Sequence, residues 1–98
     1  MTLEDIIKQV SVFVKKANPY YADQLVTRIY NDLRYASQCK SIDNYVITKD
    51  KTVITDDMEC VDVYDGNTGL VYIDHKHHTI FILMSDERIS EIFDFYDY

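Results

Sequence analysis

The sequence predicts a single α+β domain spanning residues 1–98, and three observations lead to this fold class. Apolar residues recur at helical spacing near both ends of the chain. Short runs rich in Val, Ile, Tyr and Thr lie between them and are typical of strands. Only two Gly and one Pro are present, which leaves little room for linkers. We therefore expect an N-terminal helical hairpin, a three- to four-stranded antiparallel sheet and a C-terminal acidic helix, with the helices on one sheet face.

The first helix is predicted for residues 2–17, TLEDIIKQVSVFVKKA. Thr2 is the expected N-cap, and Asp5 stands three residues later in the capping-box position. Lys15 and Lys16 lie at the C-terminal end, where the helix dipole favours positive charge. The apolar face at helical spacing consists of Leu3, Ile6, Val10, Phe13, Val14 and Ala17.

The second helix is predicted for residues 18–38, NPYYADQLVTRIYNDLRYASQ. Asn18 is the expected N-cap, and Pro19 occupies the first helical position, which tolerates proline best. The short link between the two helices predicts that they form an antiparallel hairpin. The inward stripe is expected to contain Ala22, Leu25, Val26, Ile29, Leu33 and Ala36.

The middle of the chain is predicted to form a β-meander from runs that resemble strands. These runs are YVIT (45–48), TVIT (52–55), CVDVY (60–64), GLVYID (69–74) and TIFILM (79–84). DGNTG (65–69) and HKHH (75–78) are expected to be turns. Because TIFILM is apolar throughout, we expect it to be central in the sheet or covered on both faces.

The last helix is predicted to begin after Ser85, with Asp86 and Glu87 in its first turn. Its buried stripe is expected to contain Ile89, Ile92, Phe93 and Tyr96. The final eight residues, EIFDFYDY, interleave acidic and aromatic side chains up to the C-terminus. Acids at this end oppose the helix dipole, so the pattern breaks a local rule and indicates a functional surface.

The net charge of −7 is unevenly distributed along the chain. Residues 1–51 carry six acidic and eight basic side chains, whereas residues 52–98 carry eleven acidic side chains and only Lys76 and Arg88 as bases. Direct binding of nucleic acid by the C-terminal half is therefore not expected, since phosphates need Lys and Arg. A basic partner is the natural counterpart.

The sequence also bears on the cellular setting. No apolar run reaches the roughly 20 residues of a membrane helix, and the N-terminus carries acids where a secretion signal carries Lys or Arg. Cys39 and Cys60 are expected to be free, partly buried thiols of a reducing compartment, although a disulfide between them stays open. We expect a soluble, cytoplasmic protein, in the host cell if a phage encodes it.

One stretch offers metal-ligand chemistry: DHKHH, residues 74–78. Three His and one Asp suit zinc, but in a strand or tight turn His75 and His77 share a face while His78 points elsewhere. No second His or Cys cluster completes the site. We expect polar turn residues, and no metal, cofactor or catalytic residue is predicted; a metal-assisted enzyme using Asp74, His75 and His77 is kept as an alternative. No GxSxG, P-loop or dinucleotide motif is present.

The acids are instead predicted to form one negative surface. Asp62, Asp65 and Asp74 alternate with apolar residues and are expected on the solvent face of the sheet or in its turns. The predicted partner-binding residues are Asp56, Asp57, Glu59, Asp62, Asp65, Glu87, Glu91, Asp94, Phe95, Tyr96, Asp97 and Tyr98. Phe95, Tyr96 and Tyr98 are expected to supply aromatic anchoring or dimer contacts.

Two stretches resemble small phage-encoded DNA-mimic proteins that block restriction enzymes and other host DNA-binding factors. Pro19-Tyr20-Tyr21-Ala22-Asp23 is similar to a Pro-x-Tyr-Tyr-Ala-Asp stretch in one antirestriction mimic, and Glu91–Tyr98 resembles an Asp/Glu/Tyr/Phe-rich C-terminus in another. Together they cover about a seventh of the chain. The resemblance implies a protein, often a dimer, whose carboxylates imitate DNA phosphates. This chain departs from the family in retaining ten basic residues and a predicted sheet.

The leading hypothesis is a non-enzymatic acidic inhibitor that occupies the nucleic-acid-binding groove of a host restriction, CRISPR or nucleoid protein. The alternative is an immunity protein or antitoxin that binds one cognate toxin. A homodimer is compatible with the Tyr-rich flanks and the small core.

Overall fold

The computed structural model describes residues 2–63 and 69–96, and it describes side chains up to Asp94. Three α-helices and a four-stranded sheet confirm the predicted α+β class. The elements are α1 (Leu3–Ala17), α2 (Ala22–Cys39), β1 (Asn44–Thr48), a 3-10 turn (Lys51–Val53), β2 (Glu59–Cys60), β3 (Val71–Asp74), β4 (Thr79–Leu83) and α3 (Asp86–Tyr96). Across these ranges no helix has the length and apolarity needed to cross a membrane.

Helix α1 begins as the sequence predicts. Thr2 Oγ1 accepts a hydrogen bond from the backbone N–H of Asp5, and Asp5 Oδ2 accepts one from the backbone N–H of Thr2, both at 3.2 Å. This capping box satisfies two of the N–H groups that a helix start leaves without partners. Ile6, Val10 and Val14 of the predicted stripe are fully buried, whereas Ala17 is exposed.

Helix α2 begins at Ala22 rather than immediately after Asn18. Asn18 Oδ1 accepts hydrogen bonds from the backbone N–H groups of Tyr20 at 3.0 Å and Tyr21 at 3.4 Å. Asn18 therefore caps a turn that leads into the helix, which explains why the cap signal precedes the helix by four residues. The predicted stripe is confirmed, with Ala22, Leu25, Ile29, Leu33 and Ala36 buried and Val26 packed against them.

The sheet has the strand order β1-β4-β3-β2 and is mixed. Strands β2, β3 and β4 form the predicted antiparallel meander, but β1 pairs in parallel with β4, with Tyr45 opposite Ile80 and Ile47 opposite Ile82. The expectation of a purely antiparallel sheet is thus wrong in this one pairing. The prediction that TIFILM is central is confirmed, because β4 lies between β1 and β3.

All three helices share one core with one face of the sheet. Opposite residues in neighbouring strands point to the same side, so the register places Val71 and Ile73 beside Ile82 and Ile80 on one face. These four side chains are fully buried in the cluster that also contains the inward stripes of α1, α2 and α3. We call this side the helix face.

The opposite side, the outer face, carries Val46, Phe81, Tyr72 and Cys60 in successive strands. The chain between β1 and β2 must cross the sheet, because those strands form its opposite edges. It crosses on the outer face, since its residues Ile54 and Met58 line a cavity of about 390 Å³ together with Cys60 and Tyr72 of that face. We call residues 49–58 the crossing segment.

The crossing segment corrects the prediction that TVIT, residues 52–55, forms a strand. Asp50 accepts a hydrogen bond from the backbone N–H of Thr52 at 2.9 Å and starts a 3-10 turn, which ends at Val53. The side-chain cap of Asp50 therefore outweighs the β propensity of Val53 and Ile54. In the run CVDVY, β2 ends at Cys60 and residues 61–63 are not in a strand, while Tyr64 lies outside the described residues.

Gly69 lies where the chain returns to β3 and is closely approached by its neighbours. A Cβ atom at this position would lie 2.4 Å from Cys60 Sγ and 2.8 Å from the carbonyl oxygen of Asp62. The Gly69 carbonyl also accepts a hydrogen bond from the buried Tyr72 hydroxyl at 3.0 Å. A side chain here must therefore displace packed atoms.

We expect Gly69→Ala to lower the free energy of unfolding by about 1–3 kcal/mol, because overpacking shifts the Cys60 and Asp62 segment. Urea denaturation measures this loss. The Cys60→Ala background lacks the sulfur atom and so has one of the two overlaps removed. Gly69→Ala should therefore lower the free energy of unfolding less in that background than in the wild type. Wild-type stability in Gly69→Ala would show that the close approach is not a constraint.

Candidate partner-binding site

The exposed side of α3 carries the acidic side chains that the sequence predicted there. Ser85 Oγ accepts a hydrogen bond from the backbone N–H of Arg88 at 3.2 Å, which confirms Ser85 as the cap. Ile89 and Ile92 are fully buried, and this fixes the rotation of the helix. The side chains left exposed by that rotation are those of Asp86, Glu87, Glu91 and Asp94.

The last described turn of α3 meets the turn that precedes α2. Asn18, Tyr20 and Tyr21 from this turn, with Phe93 and Asp94 from α3, line an open concavity of about 580 Å³. We call it the Tyr–Asp cleft. Its two sides come from residues 18–21 and from Phe93 and Asp94, which are far apart in the sequence and are brought together only by folding.

The cleft has a rigid base and one projecting aromatic ring. Phe93 is 5% exposed and belongs to the core, and Tyr21 packs against the same core. Asn18 holds the backbone of the turn through its bonds to the N–H groups of Tyr20 and Tyr21. Tyr20 is 91% exposed, so this large ring stands in solvent beside the Asp94 carboxylate. Such a ring costs little entropy to immobilise and is typical of binding hot spots.

A second group of acids lies elsewhere on the molecule. Asp56 and Asp57 are exposed on the crossing segment, on the outer face of the sheet, whereas α3 packs on the helix face. Glu59 Oε1 lies 2.8 Å from His75 Nε2 at the β2 edge. The sheet therefore separates Asp56 and Asp57 from Glu87, Glu91 and Asp94. Glu59 is opposite Ile73 in the register, so it lies at the β2 edge on the side of the helix face.

Asp62 is not a free carboxylate on the solvent face. Its Oδ2 lies 3.0 Å from Arg28 Nη2 of α2, so the helix and the β2 edge are joined by an ion pair. Asp32, one helical turn after Arg28, lies in the same neighbourhood. Burial raises the pKa of Asp32 to about 7, with the charge of Asp62 acting in the same direction and that of Arg28 opposing it.

The DHKHH stretch forms the predicted turn between β3 and β4. His77 Nδ1 lies 2.8 Å from Asp74 Oδ2, and the hydrogen bond from the His77 side chain, followed by that from its backbone, lowers the pKa of Asp74. His78 adopts a φ of 48°, so its backbone completes the turn. Within the two described ranges, no three His, Cys, Asp or Glu side chains are grouped closely enough to hold a metal ion.

Several predicted site residues have side chains outside the described part of the structure. Asp65, Asp97 and Tyr98 lie outside the described residues, and Phe95 and Tyr96 are described only as backbone of α3. Both cysteines are free, as expected, although Cys39 is exposed rather than partly buried.

Sequence reasoning missed two features of the site. Tyr20 belongs to a stretch that resembles an antirestriction mimic but is not among the predicted partner-binding residues. Only the fold, which places it on the same cleft as Asp94, identifies it. The pairing of Arg28 with Asp62 spans 34 residues of sequence and leaves no local signal.

No protein-family model, curated protein or solved structure matches the chain. The function is therefore argued from the site alone.

We expect Asp32→Asn to stabilise the protein in a pH-dependent way. The folded pKa of Asp32, about 7, lies above its ordinary 3.8, so its stabilising contribution is complete below 3.8 and is lost as pH rises through about 7. The advantage of Asp32→Asn over the wild type should therefore grow from pH 3.8 to about 7 and then level off. Urea denaturation of both proteins across this window measures the difference.

Asp56→Asn removes an exposed carboxylate and is the matched control, for which we expect a much smaller change with pH. A stability difference between Asp32→Asn and the wild type that is the same at every pH would contradict the assignment.

Proposed function

We propose that the protein is a non-enzymatic acidic inhibitor whose α3 surface and Tyr–Asp cleft occupy the basic groove of a nucleic-acid-binding protein by imitating the charge of DNA. One observation carries the proposal: a row of exposed carboxylates on α3 ends at a cleft from which Tyr20 projects. Carboxylates recognise Arg and Lys, and an aromatic ring adds stacking on a guanidinium.

The geometry of α3 supports imitation of a single strand of DNA charge. Glu87, Glu91 and Asp94 follow one another by four and three residues, so they span about 10.5 Å along the helix axis at about 1.5 Å per residue. Four successive phosphates of one DNA strand span about 10 Å along the axis, so the three carboxylates match the length of such a row at a slightly wider spacing. The carboxylates are held by a helix whose inner side is locked into the core by Ile89 and Ile92. Their spacing is therefore fixed before the partner binds, which lowers the entropic cost of binding.

The charges on this row are weakly compensated. Among the described residues, Glu87 and Asp94 are in no ion pair, and Glu91 Oε2 lies 3.4 Å from Arg88 Nη1. An exposed pair of this kind stabilises the protein by only about 0–1 kcal/mol, so a partner guanidinium can replace Arg88 at small cost. The row therefore presents a negative field to an approaching basic groove.

Tyr20 favours a second candidate function. A ring that is 91% exposed beside a concavity is the kind of anchor that an immunity protein or antitoxin inserts into one cognate toxin. The two functions differ in what the partner loses on binding. A charge mimic competes with DNA and weakens with salt, whereas an inhibitor anchored mainly by Tyr20 retains most of its affinity in salt.

Neutralising the carboxylates of Glu87, Glu91 and Asp94 should strongly weaken competition with DNA. We expect Glu87→Gln/Glu91→Gln/Asp94→Asn to raise the concentration needed to displace labelled duplex DNA from a restriction, CRISPR or nucleoid protein by at least about tenfold. For the wild type, displacement should weaken steeply as salt increases. Fluorescence anisotropy of the labelled duplex measures both effects.

The matched control is Glu4→Gln/Asp56→Asn/Asp57→Asn, which removes the same charge from exposed positions away from the cleft. This variant should compete nearly as well as the wild type. Equal losses in both triple variants would indicate a general charge effect, and an affinity that does not change with salt would rule out mimicry.

Tyr20→Ala tests the aromatic anchor separately. Removing a hot-spot ring typically costs at least about 2 kcal/mol, so affinity for the partner should fall about thirtyfold, whereas Tyr20→Phe keeps the ring and most of the affinity. Tyr35, which is 43% exposed and lies at the other end of α2, provides the control variant Tyr35→Ala. Isothermal titration calorimetry measures the affinities, and equal losses for Tyr20→Ala and Tyr35→Ala would remove Tyr20 from the site.

A further inference from the structure

Strand β1 lies at the edge of the sheet with one side open. Among the described residues it pairs only with β4, and its five residues are exposed or half-buried. Val46 at its centre is 38% exposed on the outer face. An edge strand presents backbone N–H and C=O groups that can template another strand.

The ladder with β4 shows which backbone groups of β1 point outward. The carbonyl oxygen of Thr48 accepts a hydrogen bond from the backbone N–H of Met84 at 2.7 Å, so Thr48 faces β4. Backbone groups alternate in direction along a parallel strand, so Asn44 and Val46 also face β4. The N–H and C=O groups of Tyr45 and Ile47 therefore point away from the sheet. No backbone bond of theirs to residues outside the ladder is found in the described chain.

We propose that the protein forms a two-fold symmetric dimer in which β1 pairs in antiparallel fashion with β1 of a second copy, about an axis at Val46. In this register, Tyr45 of one copy is opposite Ile47 of the second, and the two residues exchange two backbone hydrogen bonds. Ile47 of the first copy and Tyr45 of the second do the same, which gives about four bonds in all. Val46 meets its own copy on the outer face as a pair without hydrogen bonds. The assembly is one eight-stranded sheet.

Charge complementarity selects this register among the antiparallel alternatives. With the axis at Val46, Asp43 of each copy stands opposite Lys49 of the other, on the helix face of the sheet. Lys49 already lies on that side, with its Nζ 5.0 Å from the centre of the Phe13 ring. A shift of the axis to Tyr45 places Asp43 opposite Ile47 of the second copy. A shift to Ile47 places it opposite Lys51, which lies in the 3-10 turn and does not continue the strand. Opposite charges placed directly across a strand pair stabilise it, and like charges destabilise it.

The edge is also free of the repulsion that the acidic surface creates. Residues 40–51 contain Lys40, Lys49 and Lys51 against Asp43 and Asp50, so this segment is not acidic although the chain as a whole is. The short strand buries less area than a standard interface of about 1,600 Å², so we expect a weak dimer that forms with increasing concentration. The inference does not rest on the proposed function, because the α3 row and the cleft play no part in it.

A charge exchange tests the register. Sedimentation velocity of the wild type over a wide concentration range should show a monomer–dimer equilibrium. Asp43→Lys or Lys49→Asp alone should raise the dimer dissociation constant by at least about tenfold, since each places two like-charged pairs across the strands. The double variant Asp43→Lys/Lys49→Asp should restore dimerisation. An equimolar mixture of the two single variants should form heterodimers, because their charges are then complementary.

Lys51→Asp is the matched control, since Lys51 faces no charged residue in this register; its dissociation constant should stay close to that of the wild type. Circular dichroism verifies that each variant is folded. Amide hydrogen exchange gives a second readout: exchange at Tyr45 and Ile47 should slow as the dimer forms, while exchange at Val46 and Thr48 stays the same. The inference is overturned if the wild type is monomeric throughout, if the double variant fails to dimerise, or if Tyr45 and Ile47 gain no protection.

Discussion

The parallel pairing of β1 with β4 is the constraint on which the rest of the structure depends. Parallel neighbours cannot be joined by a tight turn, so β1 has to enter the sheet beside a strand that comes much later in the sequence. This places β4 in the interior of the sheet and explains why TIFIL is apolar on both faces. It also leaves β1 and β2 at opposite edges, and the chain between them has to cross the outer face.

The same pairing determines how the acids are distributed. The crossing segment carries Asp56 and Asp57 over the outer face, whereas α3, which follows β4, returns to the helix face and packs there through Ile89 and Ile92. The sequence predicts that the acids of these two segments form one negative surface. The fold instead holds the two segments on different sides of the sheet. The position of the carboxylates on α3 is fixed by the burial of Ile89 and Ile92 in the core and does not depend on the acids of the crossing segment.

Local signals made most of the fold predictable. The Thr2–Asp5 capping box, the Ser85 cap and the helical spacing of apolar residues depend on neighbours a few residues apart, and the helices formed as expected. The parallel partner of β1 depends on residues 35 positions away, and nothing in YVIT distinguishes β4 from any other neighbour. The site was predictable in part for the same reason. The exposed acids of α3 follow from its period, whereas the approach of Tyr20 to Asp94 and of Arg28 to Asp62 arises only from tertiary packing.

The placement of several basic residues helps to explain how a chain with ten Lys and Arg can still present a weakly compensated acidic row. In the first half, Arg34, Lys40 and Lys49 lie over the rings of Tyr30, Tyr35 and Phe13, at 5.8, 5.8 and 5.0 Å from the ring centres. Arg28 is paired with Asp62, where it also opposes the raised pKa of Asp32. These cations therefore lie over aromatic rings or beside the partly buried acids Asp62 and Asp32. Lys16 lies nearer to α3, since it lines a concavity with Asp86 and Ser90 at the start of that helix. Among the described residues, however, the ion pair formed by the row of Glu87, Glu91 and Asp94 is that of Glu91 with Arg88. Tyr30, Tyr35 and Phe13 thus hold three positive charges close to their own rings rather than beside the carboxylates of α3.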